Sequence, residues 1–213
     1  MKVEIWSDVV CPWCYIGKRR FETALGRFDH RGEVEVEYRS FELNPNASNQ
    51  ADGTLEEALA RKYGLSLEQA RAMNARVVDA AAGEGLHYRF DIARRGNTFD
   101  AHRLIHLAAA SGLQAAMKER LMAAYFMEGR AIGDQETLVE LAAEVGIDPG
   151  RARTTLASDE FAADVRADER EAAELGITGV PFFVINRRYG VSGAQPPEVM
   201  LKALAAGWDD APA

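Results

Sequence analysis

Hydrophobic and polar positions follow two different periods along the chain, and the switches between them mark out the elements. Val3, Ile5 and Trp6 make a short apolar strand, with 7–10 as a connection. From Tyr15 onward the spacing becomes helical: Ile16, Phe21, Ala24 and Leu25 share a face, and Gly26 closes the run. Over 34–41 the period returns to two, since Val34, Val36 and Tyr38 alternate with Glu35, Glu37 and Arg39. Strand, helix, strand predicts a βαβ unit with a right-handed parallel crossover.

The stretch 44–158 reads almost wholly helical. Ser66 followed by Gln69 is a capping box, opening a helix that reaches about residue 82, ahead of Gly83 and Gly85. Asn97 or Thr98 caps a second helix that runs to 111 and stops at Gly112. A third covers 113–127, with Ala116, Leu121, Ala124 and Tyr125 on its apolar face; Tyr125, Phe126 and Met127 are expected in the core. Asp134 caps a fourth over 135–145, ended by Gly146, and Asp148-Pro149 starts a short one. Ser158 is expected to cap a further helix to 175, before Gly176. Residues 182–185 then read as a buried strand, 186–188 as a turn and 189–192 as a returning edge strand, and Pro196-Pro197 opens a last helix to about 206. The order is βαβ, a helical block, then αββα. With no repeat or low-complexity linker, the expected division is one domain from 1–43 and 159–213, with 44–158 as an inserted helical domain.

Composition narrows the class. At 213 residues, 47% hydrophobic and 27% charged, the chain is an ordinary globular one with ample length for its own core. The net charge of −8 disfavours phosphate backbones and anionic membranes, so neither nucleic acid nor membrane is expected as a partner. No stretch nears the ~18–20 apolar residues of a membrane span. The first residues carry Glu4 and Asp8 where a secretory signal would need a basic start and an apolar run, so a cytoplasmic location is expected.

The two cysteines, Cys11 and Cys14, both lie in one Cys-Pro-Trp-Cys. A structural disulfide usually closes a longer loop, and a reducing cytosol would not preserve it. A lone C-x-x-C there reads as redox or metal chemistry. Pro12 falls where the first helical residue belongs, which puts Cys11 at the N-cap and Cys14 one turn in. Positions i and i+3 share a helix face, at a separation that suits a disulfide of ~4.4–6.8 Å between Cα atoms. The helix N-terminus also favours a thiolate at Cys11. A zinc site would need two further ligands. His102 and His106 have the right i,i+4 spacing, but structural sites usually close over a short loop, so no metal is expected.

The element order, the C-x-x-C at the start of the first helix and Thr178-Gly179-Val180-Pro181 before the third strand resemble the thioredoxin fold. The helical block resembles that of the DsbA family. SDVVCPWCYIG (7–17), FELNP (41–45), NTFDAHRL (97–104) and GVPFFVINRRYGVSGAQ (179–195) resemble its FrnE-like branch, and the match covers essentially the whole chain. The fold implied is α/β and thioredoxin-like, with a large helical insertion of DsbA type. The resemblance implies that Cys11 is a surface nucleophile and Cys14 the resolving thiol. It also implies that Pro181 is a cis-proline facing them, exposing the Val180 backbone to substrate; the plainer reading of Pro181 is a strand-start proline. Pro12 and Trp13 set the helix entry, shield the sulfurs and tune the reduction potential, and Trp13 reads equally as an exposed anchor for partners. Neither supplies the cation that a histidine would, which argues against a strongly oxidising pair. Glu42 is either a proton shuttle for the resolving cysteine or an ordinary loop carboxylate. Asn97 and His102 are accessory candidates: His102 either lines the groove beside Cys11 or is a satisfied helix histidine.

The function implied is a thiol–disulfide oxidoreductase acting through mixed disulfides. Its partners would be disulfide- or thiol-containing proteins or small molecules, with no tightly bound cofactor and with glutathione admitted as a redox partner. The alternative is a glutathione-dependent isomerase or transferase related to 2-hydroxychromene-2-carboxylate isomerase and the kappa-class glutathione transferases. Those usually carry Ser at the first position, so having both cysteines favours redox chemistry. A redox-inert binding or chaperone module is the third reading.

Overall fold

The computed structural model describes residues 1–49 and 53–210, so small parts of the stretches expected as 44–158 and 159–213 lie outside the described residues. It divides into two compact units, one formed by Met1–Leu43 with Asp164–Ala213 and the other by Asn44–Ala163.

In the first unit, β1 (Lys2–Ser7), β2 (Glu35–Ser40), β3 (Phe182–Ile185) and β4 (Tyr189–Ser192) form one sheet in the order β2-β1-β3-β4. β1 runs parallel to β2, with Ser7 opposite Ser40, and antiparallel to β3, with Ile5 opposite Phe183. β4 returns antiparallel to β3 through a turn in which Asn186 and Arg187 take positive φ, 48° and 58°. The period of two in β1 and β2 sends side chains to opposite faces. On one face Val3, Ile5, Tyr38, Phe183 and Ile185 bury against Phe21 and Ala24 of α1 (Pro12–Gly26) and Met200 and Leu204 of α9 (Pro197–Asp209). On the other, Trp6 and Val184 pack against Ala172 of α8 (Ala162–Glu174) and Ile177 beyond it.

That second face is partly ionic. Glu4, 1% exposed, is held by Arg39 and by Arg187. Asp168 accepts bonds from Arg39 at 3.0 Å and from the Ser40 N–H at 2.8 Å, and its main-chain carbonyl takes the Trp6 indole N–H at 2.9 Å. α8 is thereby pinned to the strands by charge-assisted bonds as well as by packing.

The second unit is helical: α2 (Leu55–Tyr63), α3 (Leu67–Ala82), α4 (Phe99–Ala109), α5 (Gln114–Met127), α6 (Gln135–Glu144) and α7 (Pro149–Leu156). The Ser66–Gln69 capping box opens α3 and the Asp134 side chain caps α6, as their spacing predicts. Tyr125 and Phe126 are in the core. α2 has its own capping box, Thr54 with Glu57, a signal that the sequence reading passed over.

One expected cap fails. Ser158 does not open α8, which begins at Ala162 after Phe161, held at a φ of 60°. The reason is tertiary. Arg103, buried in α4, donates to the main-chain carbonyls of Thr155, Leu156, Ser158 and Glu160. Residues 157–161 are thus drawn around one guanidinium, and the Ser158 hydroxyl turns back to the Thr155 carbonyl at 3.0 Å. Among the described residues no helix is long and apolar enough to cross a membrane.

Candidate active site

The carboxyl ends of the parallel strands β1 and β2 open at the same edge of the sheet, where ligand and catalytic groups of such sheets collect. From there the chain makes a tight turn, with the Cys11 N–H donating to the Asp8 carbonyl at 3.3 Å, and enters α1. Cys11 is the N-cap, with extended backbone, and Pro12 is the first helical residue, where a missing N–H costs nothing. The Cys14 N–H donates to the Cys11 carbonyl at 3.0 Å, which closes the first turn and sets the two cysteines on one face. Both are free thiols.

Both cysteines are also buried, Cys14 at 2% and Cys11 at 4% exposure. The expectation of a surface nucleophile at Cys11 is therefore corrected. Its Sγ donates to the Val180 carbonyl at 3.5 Å, so the backbone ahead of β3 lies across the sulfur. Trp13, by contrast, is 42% exposed, and Pro12 is half-buried.

The Val180-Pro181 peptide bond is cis, as the motif predicted. Pro181 is buried and its ring lies on α1 at Gly17, one turn beyond Cys14. A Cβ at residue 17 would come within 2.9 Å of the Pro181 Cγ, so only glycine fits under that ring. Cys11, Cys14, Val180 and Pro181 are thus brought together by three segments: the β1–α1 turn, the first turns of α1 and the approach to β3.

Glu42 follows β2 in the same unit. Its side chain is fully buried; one oxygen takes the Arg166 guanidinium at 2.5 Å, and the other, Oε1, has no hydrogen-bond partner among the described residues. Its own N–H donates to Glu169 at 3.3 Å, and Arg166 also pairs with Glu169 at 2.6 Å. Burial pushes the Glu42 carboxyl above the usual carboxylate range, and Arg166 offsets only part of this. The next residue, Leu43, gives its N–H to the Asp8 carboxylate at 2.8 Å, tying this loop to the turn that carries Cys11.

Asn97 and His102 belong to the second unit. The Asn97 amide oxygen accepts the Phe99 N–H at 2.7 Å, and its nitrogen donates to the carbonyls of Pro45 and Ala47, both at 3.3 Å. It clamps loops at the start of α4. His102 is a buried residue of α4, 1% exposed. Among the described residues no group of three or more His, Cys, Asp or Glu is arranged to hold a metal ion.

Three residues of this edge escaped the sequence reading. Gly17 was visible as a glycine inside a helical run, which usually marks a close approach. Asp8 was visible only as an acid beside the motif. Arg166 carried no signal, because its role depends on how α8 lies against the loop after β2.

The DSBA-like thioredoxin domain family matches residues 2–205. The protein YwbO of Bacillus subtilis (strain 168) is 31% identical over 205 residues, covering 95% of both chains. A crystal structure of a probable DsbA oxidoreductase from Streptomyces coelicolor is 49% identical, covers 100% of this chain and 92% of its own, and superposes with a TM-score of 0.95. The cytosolic disulfide reductase DsbM from Pseudomonas aeruginosa, in its structure with GSH, shares the fold at 21% identity and a TM-score of 0.69, with 98% of this chain and 100% of DsbM covered. The chain belongs to the DsbA-like family of thiol–disulfide oxidoreductases.

Proposed function

We propose that the protein exchanges thiols and disulfides through Cys11 and Cys14, working mainly as a reductase. The observation that carries this reading is the meeting of an N-cap cysteine, a second cysteine one turn on and the Val180 carbonyl 3.5 Å from the first sulfur. Cys11, as thiolate, attacks a substrate disulfide R–S–S–R′, forming a Cys11–S–R bond and releasing R′S⁻. Cys14 then loses its proton and attacks Cys11 Sγ, forming the Cys11–Cys14 disulfide and releasing RS⁻. The pair gives up two electrons, the substrate gains them, and the two thiolates take up protons from solution.

Half-buried Val180, next to Pro181, is the place for a substrate chain to lie against the sulfur, and Trp13, between the two cysteines in sequence, offers an exposed aromatic surface. Pro12 completes the same rim. Glutathione is the expected re-reductant, in keeping with the GSH-bound DsbM structure, and a cytosolic setting like that of DsbM suits a reductase. The helical stretch 44–158 is read as an inserted domain. Asn97 and His102 are assigned to its architecture, and Glu42 to the support of the C-x-x-C turn.

Reduction of insulin disulfides with glutathione as the electron source tests the reading. Wild type should turn over, and Cys11→Ser should fall to the rate of a Cys11→Ser, Cys14→Ser double variant. Equal rates for wild type and the double variant would refute it.

A further inference from the structure

The segment from Val180 to Ala194 is fastened to α1 at three points. The first is the Cys11 sulfur, which donates to the Val180 carbonyl at 3.5 Å. The second is Gly17, which lies under the Pro181 ring; a Cβ there would also meet the Ala194 Cα and Cβ, each at 3.5 Å. The third is half-buried Arg20, whose guanidinium donates to the Ala194 carbonyl at 2.6 Å. Gly17 and Arg20, three positions apart, share a face of α1. The loop that Arg20 holds is itself tied to the proline, because the Gly193 N–H donates to the Pro181 carbonyl at 2.8 Å. Gln195 closes the loop locally: its N–H donates to the Gly193 carbonyl and its side-chain amide to the Ser192 carbonyl, both at 2.9 Å.

We infer that Arg20 is a positioning residue that keeps the Val180-Pro181 wall in place while Cys11 reacts. The inference rests on the proposed function, in which a substrate chain lies against that wall. The three fastenings are not equivalent during the reaction. A thiol donates to the Val180 carbonyl, whereas a thiolate or a disulfide sulfur has no hydrogen to give. Cys11 loses its proton to solution before it attacks, and in the mixed disulfide its sulfur is bonded to the sulfur of the substrate. The first fastening is therefore open at both stages, and at the first the carbonyl oxygen faces an anionic sulfur that repels it. The Gly17 contact is packing: it sets how closely the ring approaches, without a directional bond. The Arg20 bond is charge-assisted and does not involve the sulfur. Arg20 thus holds the 193–195 loop, and through the Gly193 bond the wall, in the states in which substrate is bound.

The test is steady-state reduction of insulin by two variants. Arg20→Met keeps the aliphatic stem and loses the donors, and Arg20→Lys keeps a cationic donor. Arg20→Met should raise KM about tenfold and leave kcat within about twofold, the mark of lost binding. Arg20→Lys should recover most of that loss. An unaltered KM in Arg20→Met would overturn the inference. So would equal defects in the two variants, which would make the shape of the side chain the cause and not its donation. Hydrogen exchange supplies a test in the wild-type protein, without any substitution. The Gly193 N–H should be equally protected in the dithiol and the Cys11–Cys14 disulfide forms, because Arg20 keeps the loop in place where the sulfur no longer donates. Protection lost in the disulfide form would show the Cys11 thiol to be the fastening that matters, and would overturn the inference. A wild-type protein that reduces no insulin would instead refute the redox function itself, which keeps the two failures apart.

Discussion

Glu42 and Glu160 are each bonded to an arginine, one in each compact unit, and their environments push them in opposite directions. Glu160 lies at the surface of the helical unit. Both its oxygens meet Arg151, and the Thr155 hydroxyl donates to it at 2.8 Å. The Arg151 bonds hold its carboxyl down at about 2. Glu42 has a fully buried side chain, one bond to Arg166 and, among the described residues, an oxygen with no hydrogen-bond partner, and burial raises its carboxyl. An ion pair by itself does not decide the outcome; hydration and completeness of bonding do. The satisfied pair belongs to the scaffold. The incompletely satisfied one lies where the C-x-x-C turn is anchored, the kind of place where proteins tolerate such cost for function.

The scaffold side of the contrast breaks most severely at Arg103. Its guanidinium serves four carbonyls of residues 155–160 and pairs with Asp100 at 2.8 Å. Arg103→Ala takes the shared donor from those carbonyls, of which Thr155 and Leu156 belong to buried residues, and should cost about 3–5 kcal/mol, read as a lower urea midpoint. A loss under about 1 kcal/mol would mean that the loop finds other partners.

Gly17→Ala probes the functional edge. A methyl 2.9 Å from the Pro181 ring forces the ring or α1 to move, so a loss of about 1–3 kcal/mol is expected, together with slower thiol exchange. Unaltered stability and exchange would show that the Pro181 contact is not tight.

The smallest effects sharpen the contrast itself. Glu42 has a raised folded-state pKa, so its contribution to stability is present below the unfolded value of ~4.3 and is lost as pH rises through the folded value. Glu160, with a lowered pKa, contributes above ~4.3 and loses that contribution as pH falls toward about 2. Urea titrations of Glu42→Gln and Glu160→Gln against wild type, from pH 2.5 to 8, should give difference curves of opposite slope. Curves of the same sign would remove the distinction.

The sequence displayed the periodic elements and their punctuation well. β3 is bounded as its apolar run predicts, α1 is entered at Pro12, and the Ser66 and Asp134 caps are used. These are local signals. The failures are long-range. Ser158 looked like a cap because nothing nearby in sequence announces that Arg103 gathers the carbonyls around it. The resemblance implied a surface nucleophile at Cys11, whereas its burial involves Val180, 169 positions away. Gly17 and Pro181 could each be noticed alone, but their contact exists only in three dimensions. The placing of Glu42 against Arg166 and Glu169 of α8 is a tertiary arrangement to which no motif corresponds.

The most direct test of the central claim, that Cys11 attacks and Cys14 resolves, is mass spectrometry of single-cysteine variants quenched in acid after exposure to oxidised glutathione. Cys14→Ser should accumulate a glutathione adduct on Cys11, because no second thiol remains to release it, while Cys11→Ser should stay largely unmodified. Adduct formed first or equally on Cys14 would contradict the account.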